Sequence, residues 1–134
     1  HTAVKSFMDG QVEFCKENGF VTTMFGRKRY INEIAASNFM TRQMGERLAM
    51  NSPIQGSAAD IIKIAMVNIY RKLKSENLKS KLLLQVHDEL IIDACKSELE
   101  QVKGILKYEM ENAVNLSVPL IADMNVGETW YEAK

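Results

Sequence analysis

The 134-residue sequence predicts an α+β fold with an antiparallel sheet. Three observations lead there. Apolar residues recur at helical spacing in several stretches. Two short apolar runs, residues 82–86 and 90–92, flank the polar tripeptide His87, Asp88, Glu89 and read as a β-hairpin buried on at least one face. The order of elements is helices, a hairpin, a helix and a late strand, without βαβ alternation.

The elements follow in order. Val4, Phe7, Met8, Val12 and Cys15 recur at helical spacing, and Asn18 with Gly19 stops the helix. Residues 20–24 read as a short strand, residues 26–29 as a basic turn, and residues 31–37 as irregular. A helix is expected over about residues 38–50. Ser52 then offers a cap, Pro53 suits a first helical position and Gln55 completes a capping box, so a new helix is expected to start there. Its apolar stripe is Ala58, Ile61, Ile62, Ala65, Met66, Ile69 and Leu73, with Asp60, Lys63, Arg71 and Lys74 largely opposite. Beyond the hairpin, Ser97 and Glu100 make a second capping box. The helix behind it packs Leu99, Val102, Leu106, Met110 and Ala113. Pro119 opens the last strand, through Leu120, Ile121 and Met124.

With 46% hydrophobic and 25% charged residues the chain is an ordinary globular domain or part of a larger one, not a disordered segment. Its net charge is zero, which at first argues against a polyanionic partner. The distribution reverses that reading. Residues 1–81 hold 13 Lys/Arg against 7 Asp/Glu, about +6; residues 82–134 hold 4 against 10, about −6. Such asymmetry suits a basic face for a polyanion, although two solvated faces produce it equally well. Cys15 and Cys95 form no C-x-x-C pair, and two histidines argue against a zinc site. Spacing leaves a disulfide open; without secretory features, reduced thiols in a cytoplasmic protein are expected. No apolar run approaches a membrane span. The chain opens at His1, without Met and within a helical pattern, as an excised fragment would.

Chemistry concentrates in three places. The hairpin tip puts carboxylates beside an apolar sheet, where a charge is costly unless paired or bound to a cation. One or two carboxylates with substrate phosphates are the usual Mg²⁺ ligands. Neighbouring residues in extended chain face opposite ways, so Asp88 and Glu89 are not expected to bind one ion equally. A polar hairpin turn accounts for the same residues without any function. The second place is the row Arg47, Asn51 and Gln55, spaced by four and aligned on one face if a single helix carries them. Pro53 makes a bend expected and the alignment approximate. Hydrogen-bonding side chains in such a row can read base-pair edges in a minor groove, where acceptors sit at similar places in every pair. A solvated face with Gln55 as a cap explains it as well. The third place is the turn Arg27, Lys28 and Arg29, with Lys72, Lys74, Lys79 and Lys81 behind it, as phosphate contacts or plain surface. Tyr30, Phe39 and Tyr70 read as core or edge aromatics.

Two blocks give a specific resemblance. R-L-A-M-N-S-P-I-Q-G-S-A-A-D-I-I-K over residues 47–63 and L-Q-V-H-D-E-L over residues 84–90 resemble the C-terminal blocks of family A (DNA polymerase I-type) DNA polymerases. G-F-V-T-T (19–23), G-R-K-R-Y (26–30) and G-E-T-W-Y (127–131) agree, so the likeness covers essentially the whole chain. It implies the end of the fingers over about residues 1–50 and the C-terminal half of the palm over about residues 51–134, with a palm-type sheet. It implies template-directed nucleotidyl transfer from a dNTP to a primer 3′-hydroxyl, with primer-template DNA as partner and two Mg²⁺ ions in the complete enzyme. Asp88 matches the motif C aspartate that binds metal, and Glu89 its less critical acidic neighbour. His87 and Gln85 match residues near the primer end. Arg47, Asn51 and Gln55 match residues at the primer-template minor groove or near the active site. Arg42, Arg27 and Arg29 are weaker matches to DNA-backbone contacts. The resemblance also implies a bacterial-type cytoplasmic, nucleoid-associated enzyme. The motif A aspartate, the nucleotide-gripping helix and the thumb have no counterpart here. The chain alone is therefore expected to be inactive, because a two-metal site needs ligands from both sides.

Overall fold

Helix α1 (Thr2–Asn18) ends as its sequence predicts: Gly19 is left-handed, with φ 79°, and its N–H bonds to the Cys15 carbonyl. Only the end of the α1 stripe is covered. Cys15 is buried and Val12 packs beside it, but Val4 and Phe7 are exposed. The computed structural model describes residues 1–134 and divides into two compact units, His1–Asp60 and Ile61–Lys134. The division expected near residue 50 and this boundary both fall inside one helix, α2 (Phe39–Ser75).

In the first unit, β1 (Phe20–Thr22) pairs antiparallel with β2 (Lys28–Tyr30). The strand expected to reach residue 24 stops at Thr22, and Lys28 and Arg29, expected in the turn, are strand. The Thr23 hydroxyl explains the shift. It accepts the N–H groups of Phe25 and Arg27, each at 3.3 Å, so the chain turns earlier than the sequence suggests. Gly26 supplies the required positive φ of 82°. The segment expected to be irregular contains a 3₁₀ turn, Asn32–Ala35. Cys15, Val21, Ile31, Ile34 and Ala49 form the core of this unit.

Helix α2 differs most from its sequence signals. Asn38 caps it, its side-chain oxygen accepting the Thr41 N–H at 3.1 Å. It then runs through Pro53 without a new start. Ser52 is not a cap: its hydroxyl is buried and accepts a bond from the Arg29 guanidinium. Gln55 completes no capping box and is exposed. Capping signals are local, whereas Ala49, Ser52 and Pro53 share one buried face, and tertiary burial overrides them. The far end is a Schellman motif. Asn77 is left-handed, with φ 54°, the Leu78 N–H bonds to the Leu73 carbonyl, and the Asn77 N–H to that of Lys74.

In the second unit β3 (Lys81–Val86) and β4 (Glu89–Asp93) form the expected antiparallel hairpin, with a register shift between Leu82 and Leu84. Leu90 and Ile92 pack against Ile69, Leu73, Val102 and Ile105. The outer residues Leu83 and Leu84 are exposed, so one face is covered. A 3₁₀ turn (Lys96–Glu98) leads into α3 (Leu99–Glu111), and the expected Ser97–Glu100 capping box does not form. Glu98 acts instead: its carboxylate accepts the Lys79 N–H, the Ser80 N–H and the Ser80 hydroxyl, and that hydroxyl accepts the Cys95 N–H. These bonds, led by the one from the Lys79 backbone, hold the Glu98 carboxyl below its ordinary pKa. Residues 119–124 are not a strand. They pair with no ladder, Pro119 has no N–H to offer, and Ile121 is exposed. A short helix α4 (Trp130–Ala133) closes the chain, capped by the Thr129 hydroxyl. Both cysteines are free thiols. Tyr30, Phe39 and Tyr70, expected in the core or at its edge, are more than half exposed, because each lies on the outer face of its element. The α+β class and the antiparallel pairing agree with the sequence; the sheet is two separate hairpins.

Two glycines should respond oppositely to alanine. A Cβ on Gly45 would lie 2.7 Å from the Ile34 nitrogen, against backbone that cannot step aside, whereas one on Gly104 meets nothing within 4 Å. Denaturant unfolding should show Gly45→Ala less stable by about 1–3 kcal/mol and Gly104→Ala more stable by about 0.5–1 kcal/mol. Glu98 should give a pH signature. A depressed folded-state pKa stabilises above the unfolded value and is lost as pH falls through the folded one. Glu98→Gln should therefore lower Tm at pH 7, and the difference should close below about pH 4.

Candidate functional site

The first unit presents a row of side chains on α2. Because the helix is unbroken, Arg47, Asn51 and Gln55 lie on one side of it, about 12 Å from first to last. All three are exposed, and none bonds to another side chain or to backbone within the chain. The row displays donors from all three residues and acceptors from Asn51 and Gln55.

The basic residues of the β1–β2 turn, with Arg42 and Lys72, are engaged internally. Arg27 Nε donates to Asp60 Oδ1 at 2.9 Å, and its Nη2 to the Gly56 carbonyl at 3.3 Å. Arg29 Nη1 donates to the Ser52 hydroxyl at 2.9 Å. Lys28 Nζ lies 4.6 Å from the centre of the Phe20 ring. Arg42 Nη1 donates to the Ala36 carbonyl at 3.2 Å, and its guanidinium lies over Phe39. Lys72 pairs with Glu76 at 3.0 Å. The turn read as a set of phosphate contacts is thus tied to its own unit.

The second unit presents the hairpin tip. Val86 opposes Glu89, so His87 and Asp88 are the two turn residues. Only His87 has positive φ, at 54°, the sign pattern of a type II′ turn, whose first position favours glycine. A non-glycine residue there costs about 1–2 kcal/mol. The Gln85 side-chain amide donates to the His87 carbonyl and braces the turn. His87, Asp88 and Glu89 are all exposed, and Asp88 makes no ion pair or hydrogen bond within the chain. Its charge is solvated at the tip, not buried against the apolar strands as its sequence neighbours suggest. Asp88 offers hard oxygen ligands suited to Mg²⁺. No group of three or more His, Cys, Asp or Glu side chains in the chain is placed to hold a metal ion.

Reading the sequence for chemistry overlooked Ser52, Gly56 and Asp60, the α2 residues that Arg29 and Arg27 grip. A signal was there: Gly45, Ala49, Ser52 and Gly56 are small and spaced by three or four, which marks close approach of a neighbour.

The model of DNA polymerase family A matches residues 1–132. The DNA polymerase I of Caldicellulosiruptor bescii is 57% identical over 131 residues, 98% of this chain and 15% of that protein. The DNA polymerase I of Lactococcus lactis subsp. lactis is 52% identical over the whole chain, again 15% of the relative. Among solved structures, the POL domain of Pol1 from M. smegmatis, in complex with DNA primer-template and dNTP, superposes with a TM-score of 0.92 at 40% identity. That match covers 96% of this chain and 23% of the other. The chain spans a small part of each relative, and by family model, sequence identity and fold together it belongs to DNA polymerase family A.

Proposed function

We propose that the chain is the C-terminal part of a DNA-directed DNA polymerase. About residues 1–50 would be the end of the fingers and about residues 51–134 the C-terminal half of the palm. The observation that carries most weight is the unbroken course of α2 through Pro53, which leaves Arg47, Asn51 and Gln55 in one exposed row without internal partners. The complete enzyme would transfer a nucleotide from a dNTP to a primer 3′-hydroxyl and release pyrophosphate. Mg²⁺, when bound, supplies Lewis-acid stabilisation of the charge that develops on the transferring phosphate. Asp88 would hold it from the hairpin tip, with Glu89 in a lesser role. His87 and Gln85 would stand at the primer end. The row on α2 would touch the minor-groove acceptors of the newly formed pairs, purine N3 and pyrimidine O2. The remaining metal ligand and the nucleotide-gripping residues would come from the rest of a longer chain, in a bacterial cytoplasm. No helix here is long and apolar enough to cross a membrane.

Two experiments test this. In the full-length polymerase, Asp88→Asn keeps the shape of the tip and removes the charge. Turnover should fall at least about 10³-fold, the order seen when a preorganised electrostatic group is lost. Affinity for primer-template should persist, because phosphate contacts elsewhere supply most of it. The 134-residue chain alone should yield no extension product. Near-normal turnover of Asp88→Asn would refute the metal assignment. Retained DNA binding with no activity in the full-length parent would favour a non-enzymatic binding module.

The second experiment concerns the row. Gln55→Ala should slow extension of matched primers about fivefold or more, the worth of one neutral hydrogen bond. The loss should be similar for all four terminal pairs and should shrink on mispaired ends, where the bond is already broken. Equal slowing on both kinds of end with a lower Tm would mean that Gln55 only stabilises the helix.

A further inference from the structure

The β1–β2 hairpin grips helix α2 on the side away from the exposed row. At 100° per residue, Asn51 and Gln55 lie about 40° and 80° around the helix from Arg47. Gly45, Ala49, Ser52, Gly56 and Asp60 lie between about 140° and 220°. The bonds from Arg27 and Arg29 all go to that opposite face, while Ser57 lies beside it at about 280°. Arg27 holds Asp60 Oδ1 at 2.9 Å and the Gly56 carbonyl at 3.3 Å, and Arg29 holds the Ser52 hydroxyl at 2.9 Å. The Met24 N–H donates to the Ser57 hydroxyl at 2.9 Å. Thr23 sits so close that a Cβ on Gly56 would lie 2.7 Å from its methyl group. The Asp60 side chain is only 11% exposed.

We propose that Arg27 and Arg29 are positioning residues: they fix the rotation of α2 about its axis and so set the aim of Arg47, Asn51 and Gln55. The assignment rests on the minor-groove reading above and extends it to residues whose sequence points to phosphate contact. Apolar packing of a helix face resists separation better than rolling, because small faces such as Gly45 and Gly56 offer few ridges to lock. Directional bonds from guanidinium groups supply what the packing lacks. A roll of about 20° carries a side-chain tip roughly 2 Å at the helix surface. That breaks a hydrogen bond whose useful range is a few tenths of an ångström. The sensing of base-pair geometry therefore depends on residues that touch no DNA.

The test uses the full-length polymerase that contains this chain, with Ser52→Ala, Asp60→Asn, Arg27→Gln and Arg29→Gln. Extension rates are measured on matched and mispaired primer ends, and DNA affinity as a function of salt. Ser52 and Asp60 carry no positive charge, so removing their side-chain groups cannot remove a phosphate contact. Each variant should lower the matched-to-mispaired rate ratio about threefold, the effect of weakening one hydrogen bond in the row. In the Gln55→Ala background the further loss should largely vanish. The salt dependence of DNA affinity should be unchanged. The clamp is overturned if Arg27→Gln and Arg29→Gln each reduce the salt slope by about one while Ser52→Ala leaves the rate ratio intact. A lower Tm with an unchanged ratio overturns it equally. If Asp60→Asn does not fold, Ser52→Ala and Arg29→Gln decide alone, since each removes only the single bond between Arg29 and Ser52. Match dependence in Gln55→Ala but in none of the others removes only the clamp. No match dependence in Gln55→Ala removes the minor-groove reading and the clamp with it.

Discussion

The close approach of helix α2 to the 3₁₀ turn at Ile34 constrains everything around it in the first unit. The approach is possible because Gly45 has no side chain where the Ile34 backbone lies and because Ala49, one turn on, is small enough to be fully buried. A helix buried along one face must offer the other to water. Burial of Val21, Ile31 and Ile34 stabilises by about 1.5–3 kcal/mol each as an upper estimate. A proline inside a helix costs about 3 kcal/mol. Packing outweighs the break, and the helix passes through Pro53. The Ser57 hydroxyl donates to the Pro53 carbonyl at 2.5 Å, where the turn is weakest.

The second unit meets a different constraint at its hairpin. Two strands alone are marginal in water, and this pair is held because Leu90 and Ile92 join the cluster of Ile69, Leu73, Val102 and Ile105. That support allows the tip to adopt a conformation that its residues do not favour. His87 has φ 54° where glycine would be at ease, and the Gln85 amide braces its carbonyl. Strain retained by a well-supported strand pair is a recurrent mark of functional positions. At this tip it sets the direction of Asp88, the residue proposed to hold metal. The Glu98 carboxylate, gathering donors from Lys79 and Ser80, ties the start of β3 to the turn before α3.

Charge illustrates how totals mislead. The first 81 residues carry about six excess positive charges. Arg27 is paired with Asp60, Lys16 with Glu46 and Lys72 with Glu76, while Arg29 and Arg42 bond to a hydroxyl and to carbonyls. Arg47 has none of these ties, and it stands in the row proposed to meet DNA. A guanidinium already bonded inside the protein gains less from a phosphate, because one interaction must weaken to make the other.

The sequence by itself determined the α+β class, the first helix and its Gly19 stop, the hairpin around His87 and Asp88, and the family resemblance. Each rests on signals that act over a few residues: helical spacing, a left-handed glycine, apolar runs about a polar turn. Tertiary structure alone decided the rest. Ser52, Pro53 and Gln55 spell a helix start, and Ser97 with Glu100 spells another, yet neither forms. Ser52 is held by Arg29, 23 residues away, and the donors at Lys79 and Ser80 draw Glu98. Residues 119–124 have strand composition but no partner edge, and a strand exists only through its ladder. The internal partners of the basic turn, Asp60, Gly56 and Ser52 on α2, are visible only in the tertiary structure. Local patterns specify what a segment can become; contacts distant in sequence choose among those possibilities, because burial and paired polar groups outweigh the fraction of a kilocalorie that separates local preferences.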